Sequence, residues 1–155
     1  MGRSPVQRVV RSLARAPIPV FTAGYGVVFG HRVLMVEHVG RRTGRPRHVV
    51  LEVVRRLPDG RVLVPAGLGR TADWFRNVEK NPRVRLWLSR QRGVPATARV
   101  LGEAEALDRF AEYRTEHRWT WSLVRRLLTR MPGRAGQPDE ALFRSIPLVE
   151  LTPDG

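Results

Sequence analysis

The clearest periodicity in the chain is the alternation of Val84, Leu86 and Leu88 with Arg83, Arg85 and Trp87, the period of a strand with one buried face. Other apolar runs extend it. Val33–Val39 reads as a strand, and Gly40 to Pro46 as a turn in which Gly40 and Gly44 permit positive φ. Residues 47–57 form a long β-rich run, closed by Pro58-Asp59-Gly60 into a hairpin with the strand 61–66. Gln91-Arg92-Gly93 is expected to turn the chain into a strand at 94–101, and 146–151 supplies a last strand.

Helical periodicity occupies the gaps. Val6, Val9, Val10 and Leu13 share one helical face, with Arg8, Arg11 and Arg15 on others. A short helix follows Gly67-Leu68-Gly69-Arg70, capped by Thr71 or Asp73 and stopped at Asn81-Pro82. Residues 103–131 are helical, as two helices, and Pro138 starts one more turn. The sum is an α+β protein of about six mostly antiparallel strands with flanking helices. Strands in that number tend to close into a small barrel, because closure removes exposed edges. One domain is expected over 1–155: a helical segment at 1–30, a barrel core at 31–102, and helices with a terminal strand at 103–155.

Composition narrows the partners. The 155 residues carry a net charge of +14, with Lys80 the single lysine among 28 basic residues. Such a field attracts nucleic acid, anionic lipid or an anionic small molecule, although many of these arginines simply face water. The absence of cysteine excludes disulfides, thiolate metal sites and cysteine nucleophiles. It suits a cytoplasmic protein. The uncharged stretch 16–30 is broken by Pro17, Pro19, Gly24 and Gly26. It is shorter than the roughly 20 apolar residues of a spanning helix, and no signal peptide is expected. The N-terminal helix either covers one end of the barrel or touches anionic membrane as a peripheral contact.

Two segments carry candidate chemistry. Gly40-Arg41-Arg42-Thr43-Gly44-Arg45-Pro46-Arg47 places four arginines and a threonine in one tight turn. Such a turn can aim backbone N–H groups at an anion, and guanidinium forks match phosphate or carboxylate oxygens. The plain alternative is an exposed basic hairpin tip. It is not a phosphate-binding P-loop, since no helix follows and the Gly-Lys-Ser/Thr ending is missing. The second segment is Pro65-Ala66-Gly67-Leu68-Gly69 running into Asp73-Trp74-Phe75-Arg76-Asn77. Small residues at a strand end let a flat ring approach the backbone, the helix N-terminus beyond can face an anion, and Trp74 can form a wall. Alternatively, the glycines mark a turn and both aromatics are core.

In this order and spacing, the two segments, followed by Asn81-Pro82-Arg83-Val84, resemble the deazaflavin-dependent nitroreductase family. The resemblance covers residues 33–102 and extends to the terminal strand. It implies a split β-barrel related to flavin-binding barrels, coenzyme F420 as hydride carrier, and nitroaromatic compounds, quinones or activated alkenes as acceptors. On the matching positions it implies that Arg41, Arg42, Thr43 and Arg47 hold the phosphate and acidic tail. His48, Val49 and Val50 would run under the coenzyme, Pro65, Ala66, Gly67 and Leu68 would contact the ring, and Trp74 would stand at its edge.

Two departures bear on the acceptor. The best-known branch of the family has Ser-Lys where this chain has Gly67-Leu68, and tyrosines before the last strand where residues 131–143 have none. No catalytic side chain is assigned, and water is expected to supply the proton. His31, His38, His48 and His117 lack metal-ligand spacing, and no metal is expected. Tyr113 and Glu116 lie in a helix that could line the acceptor site, although a solvated helix face is the better expectation. A basic nucleic-acid-binding module is an alternative, opposed by the scarcity of aromatics interleaved with arginines; an FMN or haem binder on the same barrel is another. A monomer or homodimer is expected.

Overall fold

A computed structural model of the chain describes residues 18–23 and 26–155. The helix expected over Val6–Leu13 lies outside the described residues. Helix α1 (Ile18–Thr22) and a 3-10 turn (Gly26–Phe29) precede strands β1 (Val33–Val39), β2 (Pro46–Glu52), β3 (Arg55–Arg56) and β4 (Val62–Pro65). A 3-10 turn (Gly69–Thr71) leads into α2 (Asp73–Lys80), then β5 (Arg83–Leu88) and β6 (Gln91–Val100). Helices α3 (Glu103–Glu116), α4 (Arg118–Leu128) and α5 (Asp139–Arg144) and strand β7 (Leu148–Pro153) complete the chain.

The seven strands form one antiparallel sheet in the order β2-β1-β5-β6-β7-β4-β3. Its curl is closed by the run expected as a single strand at 47–57. Glu52 pairs with Val33 on β1, and Arg55 pairs with Leu63 on β4. Between them, Val53 N–H donates to Arg32 O and Val54 N–H to Leu63 O, each at 2.8 Å. Adjacent residues therefore bond to opposite margins of the sheet, so closure satisfies edge groups that would otherwise seek partners. The fold is α+β, a curled antiparallel half-barrel with helices packed on it.

Several strands are buried on both faces, which explains their continuous apolar runs. Leu34 and Val36 point into the barrel with Val62, Val64, Phe75, Leu86 and Val149, whereas Met35 packs outside with Phe21 and Val50. Leu63 and Leu148 face a second outer layer with Phe110, Trp121 and Phe143. In that layer Phe110 and Phe143 stack in parallel at 4.8 Å, the kind of aromatic pair that adds about 1 kcal/mol beyond area burial.

One turn falls elsewhere than the sequence suggests. The chain reverses at Ser89 and Arg90, and Gln91-Arg92-Gly93 already belongs to β6. Gly93 has φ +63, and a Cβ there would stand 3.4 Å from the Trp87 ring. Its positive φ is one that glycine adopts without strain, and it lies across from the register shift between Leu86 and Leu88.

Candidate functional site

Along β2, from Arg47 to Glu52, about 16 Å of extended chain forms one wall of a cavity of about 780 Å³. The arginine-rich turn closes one end. Strand end β4, helix α2 and the inner faces of α3 and α4 complete the enclosure.

The turn owes its shape to two glycines. Gly44 occupies the left-handed region at φ +66. Gly44 N–H donates to Gly40 O at 2.8 Å, and Gly40 N–H to Arg45 O at 2.9 Å. A Cβ on Gly40 would lie 2.9 Å from Thr43 Oγ1 and 3.0 Å from Arg47 Nε, so both side chains pack closely over the bare Gly40 backbone. The N–H groups of Arg42 and Thr43 have no acceptor among the described residues.

The four arginines divide by role. Arg41 N–H and Nη1 donate to Asn77 Oδ1 at 3.1 and 2.9 Å, and Arg41 Nη2 meets Asp73 Oδ1 at 3.3 Å. Arg41 is thus tied to α2. Arg42 and Arg47 are exposed, line the cavity, and have no carboxylate partner among the described residues. Arg45 does not line the cavity; its N–H donates to Thr43 Oγ1 at 3.3 Å. Two guanidinium groups and two backbone donors are therefore available to an anion at this end.

Asn77 makes the contact that holds turn and barrel together. It is 2 % exposed, and its Nδ2 lies 3.0 Å from Nδ1 of the buried His38 on β1. His48 lies 3.0 Å from the Glu37 carboxylate directly across the strand pair and edge-on to Trp87 at 6.0 Å.

At the far side, Pro65, Gly67 and Leu68 line the cavity beside Trp74. Ala66 does not: it is fully buried, its N–H donates to Pro147 O, and its carbonyl accepts from Gly69 N–H. Arg134 fixes this strand end by donating to Gly67 O at 2.7 Å and to Ser145 O at 3.4 Å. Burial pulls its guanidinium below the usual arginine range. Neither Thr71 nor Asp73 caps α2, whose N-cap is Ala72 without a side-chain bond. Asp73 stands in the first turn instead. A carboxylate therefore stands at the positive end of the helix.

Eleven of the twelve sequence-derived residues thus surround one cavity: Arg41, Arg42, Thr43, Arg47, His48, Val49, Val50, Pro65, Gly67, Leu68 and Trp74. Sequence reasoning missed the opposite wall, formed by Phe110, Trp121, Val124, Leu128 and Met131. For Tyr113 it preferred a solvated face to the alternative of lining the site, and the alternative holds. Tyr113 is 7 % exposed, lines the cavity, and donates to Glu52 Oε1 at 2.9 Å. Burial first, then the Glu52 carboxylate, pushes its hydroxyl well above the usual tyrosine range. Glu116 does face outward, 3.5 Å from Arg55. The apolar positions 110, 113, 121, 124, 128 and 131 recur at helical spacing, a signal that marks a buried face without saying that a cavity lies behind it. Among the described residues no cluster of His, Asp and Glu could hold a metal ion.

A curled antiparallel half-barrel with a cavity cationic at one end and apolar at the other is the architecture of a split-barrel protein. The sequence profile of the F420H(2)-dependent quinone reductase family matches residues 19–125, more than half of the chain. The protein belongs to this family and is an F420-dependent oxidoreductase. No curated protein matches the sequence closely. Among solved structures, an F420-H2 dependent reductase superposes with a TM-score of 0.51 at 19% identity, over 79% of this chain and 95% of the other. A putative pyridoxamine 5'-phosphate oxidase from Listeria innocua gives 0.52 at 14% identity, over 88% and 94%. A protein of unknown function from Agrobacterium tumefaciens gives 0.55 at 16% identity; the match covers 91% of this chain but 56% of that longer one. At these identities the likeness is one of fold.

Proposed function

We propose that the protein reduces a planar, apolar acceptor, of the quinone, nitroaromatic or activated-alkene class, at the expense of reduced F420. The observation that carries this reading is one cavity joining Arg42 and Arg47, which have no carboxylate partner among the described residues, to the aromatic wall of α3 and α4.

The residues fit the coenzyme's chemistry. Arg42, Arg47, Thr43 and the free N–H groups of the turn take its phosphate and acidic tail through charge-assisted bonds. Arg41 fixes the turn. His48, Val49 and Val50 underlie the coenzyme, and Pro65, Gly67 and Leu68 receive its ring where Gly67 lacks a side chain. Trp74 stands at its edge.

When bound, reduced F420 supplies a hydride, and the protein supplies orientation and dryness. Phe110, Trp121, Val124, Leu128 and Met131 offer an acceptor flat apolar contact and exclude water. Tyr113 keeps its proton at neutral pH and, bonded to Glu52, ties α3 to β2, which sets the width of this end. The cationic turn favours a developing anionic product. The one proton that completes the two-electron reduction comes from water.

Fluorescence titration with F420, with FMN as control, tests the binding half. Arg42→Ala and Arg47→Ala are each expected to weaken F420 binding by about 10-fold or more. Unchanged affinity in both would sink the reading of the turn. Oxidation of reduced F420 by a panel of quinones, nitroaromatics and enones tests the acceptor half, and the reading fails if none is reduced.

A further inference from the structure

Helix α4 is apolar on two opposite faces. Trp121 and Leu128 are buried against the body of the protein, while Trp119 is 89% exposed, Leu123 67% and Leu127 45%. Positions 119, 123 and 127 succeed one another at four-residue spacing and form one stripe. Arg126 falls on the same side, as 100° per residue requires, and the exposed Arg130 stands in the turn just beyond the helix. The helix contains no acidic residue. Arg125 is engaged by Asp139 at 2.7 Å, but Arg118, Arg126 and Arg130 have no ion-pair partner among the described residues. A helix apolar on both sides is ordinarily covered on both, and an exposed patch that holds a tryptophan marks an interaction surface.

We infer that the outer face of α4 docks on an anionic lipid surface, with Trp119 and Leu123 entering the headgroup boundary and Arg118, Arg126 and Arg130 meeting lipid phosphates. The charge decides the occupant. A second copy packed side by side and parallel on this face about a two-fold axis would set Arg126 against its own equivalent. A nucleic acid would satisfy the arginines but give Leu123 and Leu127 no dry contact. An anionic bilayer satisfies both, since tryptophan prefers the interface and basic side chains its negative surface. No helix among the described residues is long and apolar enough to cross a membrane, so the contact is peripheral.

Leu127 belongs to the stripe and to the cavity lining. Docking therefore brings the cavity wall to the bilayer. That a lipid-dissolved acceptor gains a short path follows only with the acceptor reading above; the docking itself does not depend on it.

Co-sedimentation of the full chain with phosphatidylcholine vesicles, with and without phosphatidylglycerol, tests the docking. Binding is expected only with phosphatidylglycerol. Trp119→Ser combined with Leu123→Ser should weaken it about 10-fold or more, and Arg126→Glu combined with Arg130→Glu about 30-fold or more. Val6→Ser combined with Val10→Ser, in the N-terminal segment, should retain most of it. F420 titration reports whether each variant is folded. The proposal is overturned if the wild type ignores phosphatidylglycerol or if both α4 variants bind as it does. It is equally overturned if only the N-terminal variant loses binding, or if the α4 substitutions dissociate a dimer in vesicle-free solution.

Discussion

Arg41 and Asn77, 36 residues apart in sequence, are joined twice: the backbone N–H and the guanidinium of Arg41 both donate to the one Oδ1 of Asn77. The amide nitrogen of Asn77 turns the other way, to His38 at 3.0 Å. One buried side chain thereby sets the arginine turn against the barrel. Replacing it by alanine leaves the Arg41 N–H and His38 without this partner in a largely dry setting. We expect Asn77→Ala to cost about 1–3 kcal/mol of stability, read by urea unfolding, and to weaken F420 binding through loss of the turn's position. A variant as stable as wild type would show that the bonds carry no net energy.

Arg41 and Arg42 are neighbours with opposite expected phenotypes. Arg41 is bound to Asn77 and Asp73, whereas Arg42 is exposed and has no carboxylate partner among the described residues. Arg42→Ala should leave the unfolding midpoint within about 0.5 kcal/mol of wild type and weaken F420 about 10-fold, with a shallower salt dependence of binding. Arg41→Ala should lower the midpoint measurably. If the two variants behave alike in both assays, the division of labour is wrong.

The strand pattern was legible because it is local. The alternation at 83–88 and the turn Pro58-Asp59-Gly60 depend on near neighbours, and both occur where the residues indicate, with Gly60 at φ +87. Barrel closure at Val53 and Val54 was not legible, because its partners, Arg32 and Leu63, lie on two other segments. Gly93 was read as a turn residue, since positive φ serves turns and strand irregularities equally; pairing of Gln91 with Leu88 carries the strand through it. The arginine turn was recognisable as a motif. That Arg41 serves the protein's own helix was hidden, because Asn77 looks like any polar residue on a helix. Tyr113 failed for a similar reason: a tyrosine among Glu112, Arg114 and Glu116 suggests a wet face, and only the packing of α3 over β2 turns it inward.

Tyr113 should leave a mark on alkaline stability. Its ordinary value is 10.0, and in the folded protein burial, and then the Glu52 carboxylate, raise it. The folded state holds the proton more tightly than the unfolded chain does. The stabilising contribution is therefore full below pH 10 and is lost as pH rises toward the raised folded value, because the unfolded chain ionises first. Tyr113→Phe cannot ionise and should flatten the decline above pH 10, seen as a smaller difference between urea midpoints at pH 9 and pH 11. An unaltered alkaline slope would count against the buried Tyr113–Glu52 contact.

Asp139 should dominate the acid side of the helical layer. Its partial burial opposes ionisation, but the bonds from Arg125 Nε at 2.7 Å, Trp121 Nε1 at 3.2 Å and Arg114 Nη1 at 3.3 Å prevail and lower its pKa from 3.8. The same contacts tie α5 to α3 and α4, so the carboxylate holds the aromatic wall of the cavity in place. A depressed folded pKa means stability that is present above about pH 4 and is lost as pH falls through the lowered value. Asp139→Asn keeps the shape and removes the charge that three donors share. It is expected to cost about 1–2 kcal/mol at neutral pH and to loosen α4 before the barrel. Amide hydrogen exchange would then quicken in residues 118–128 while β1 and β5 stay protected. Uniform exchange across helix and barrel would mean that the layer unfolds only with the whole protein, and that Asp139 contributes to global stability without guarding the cavity wall.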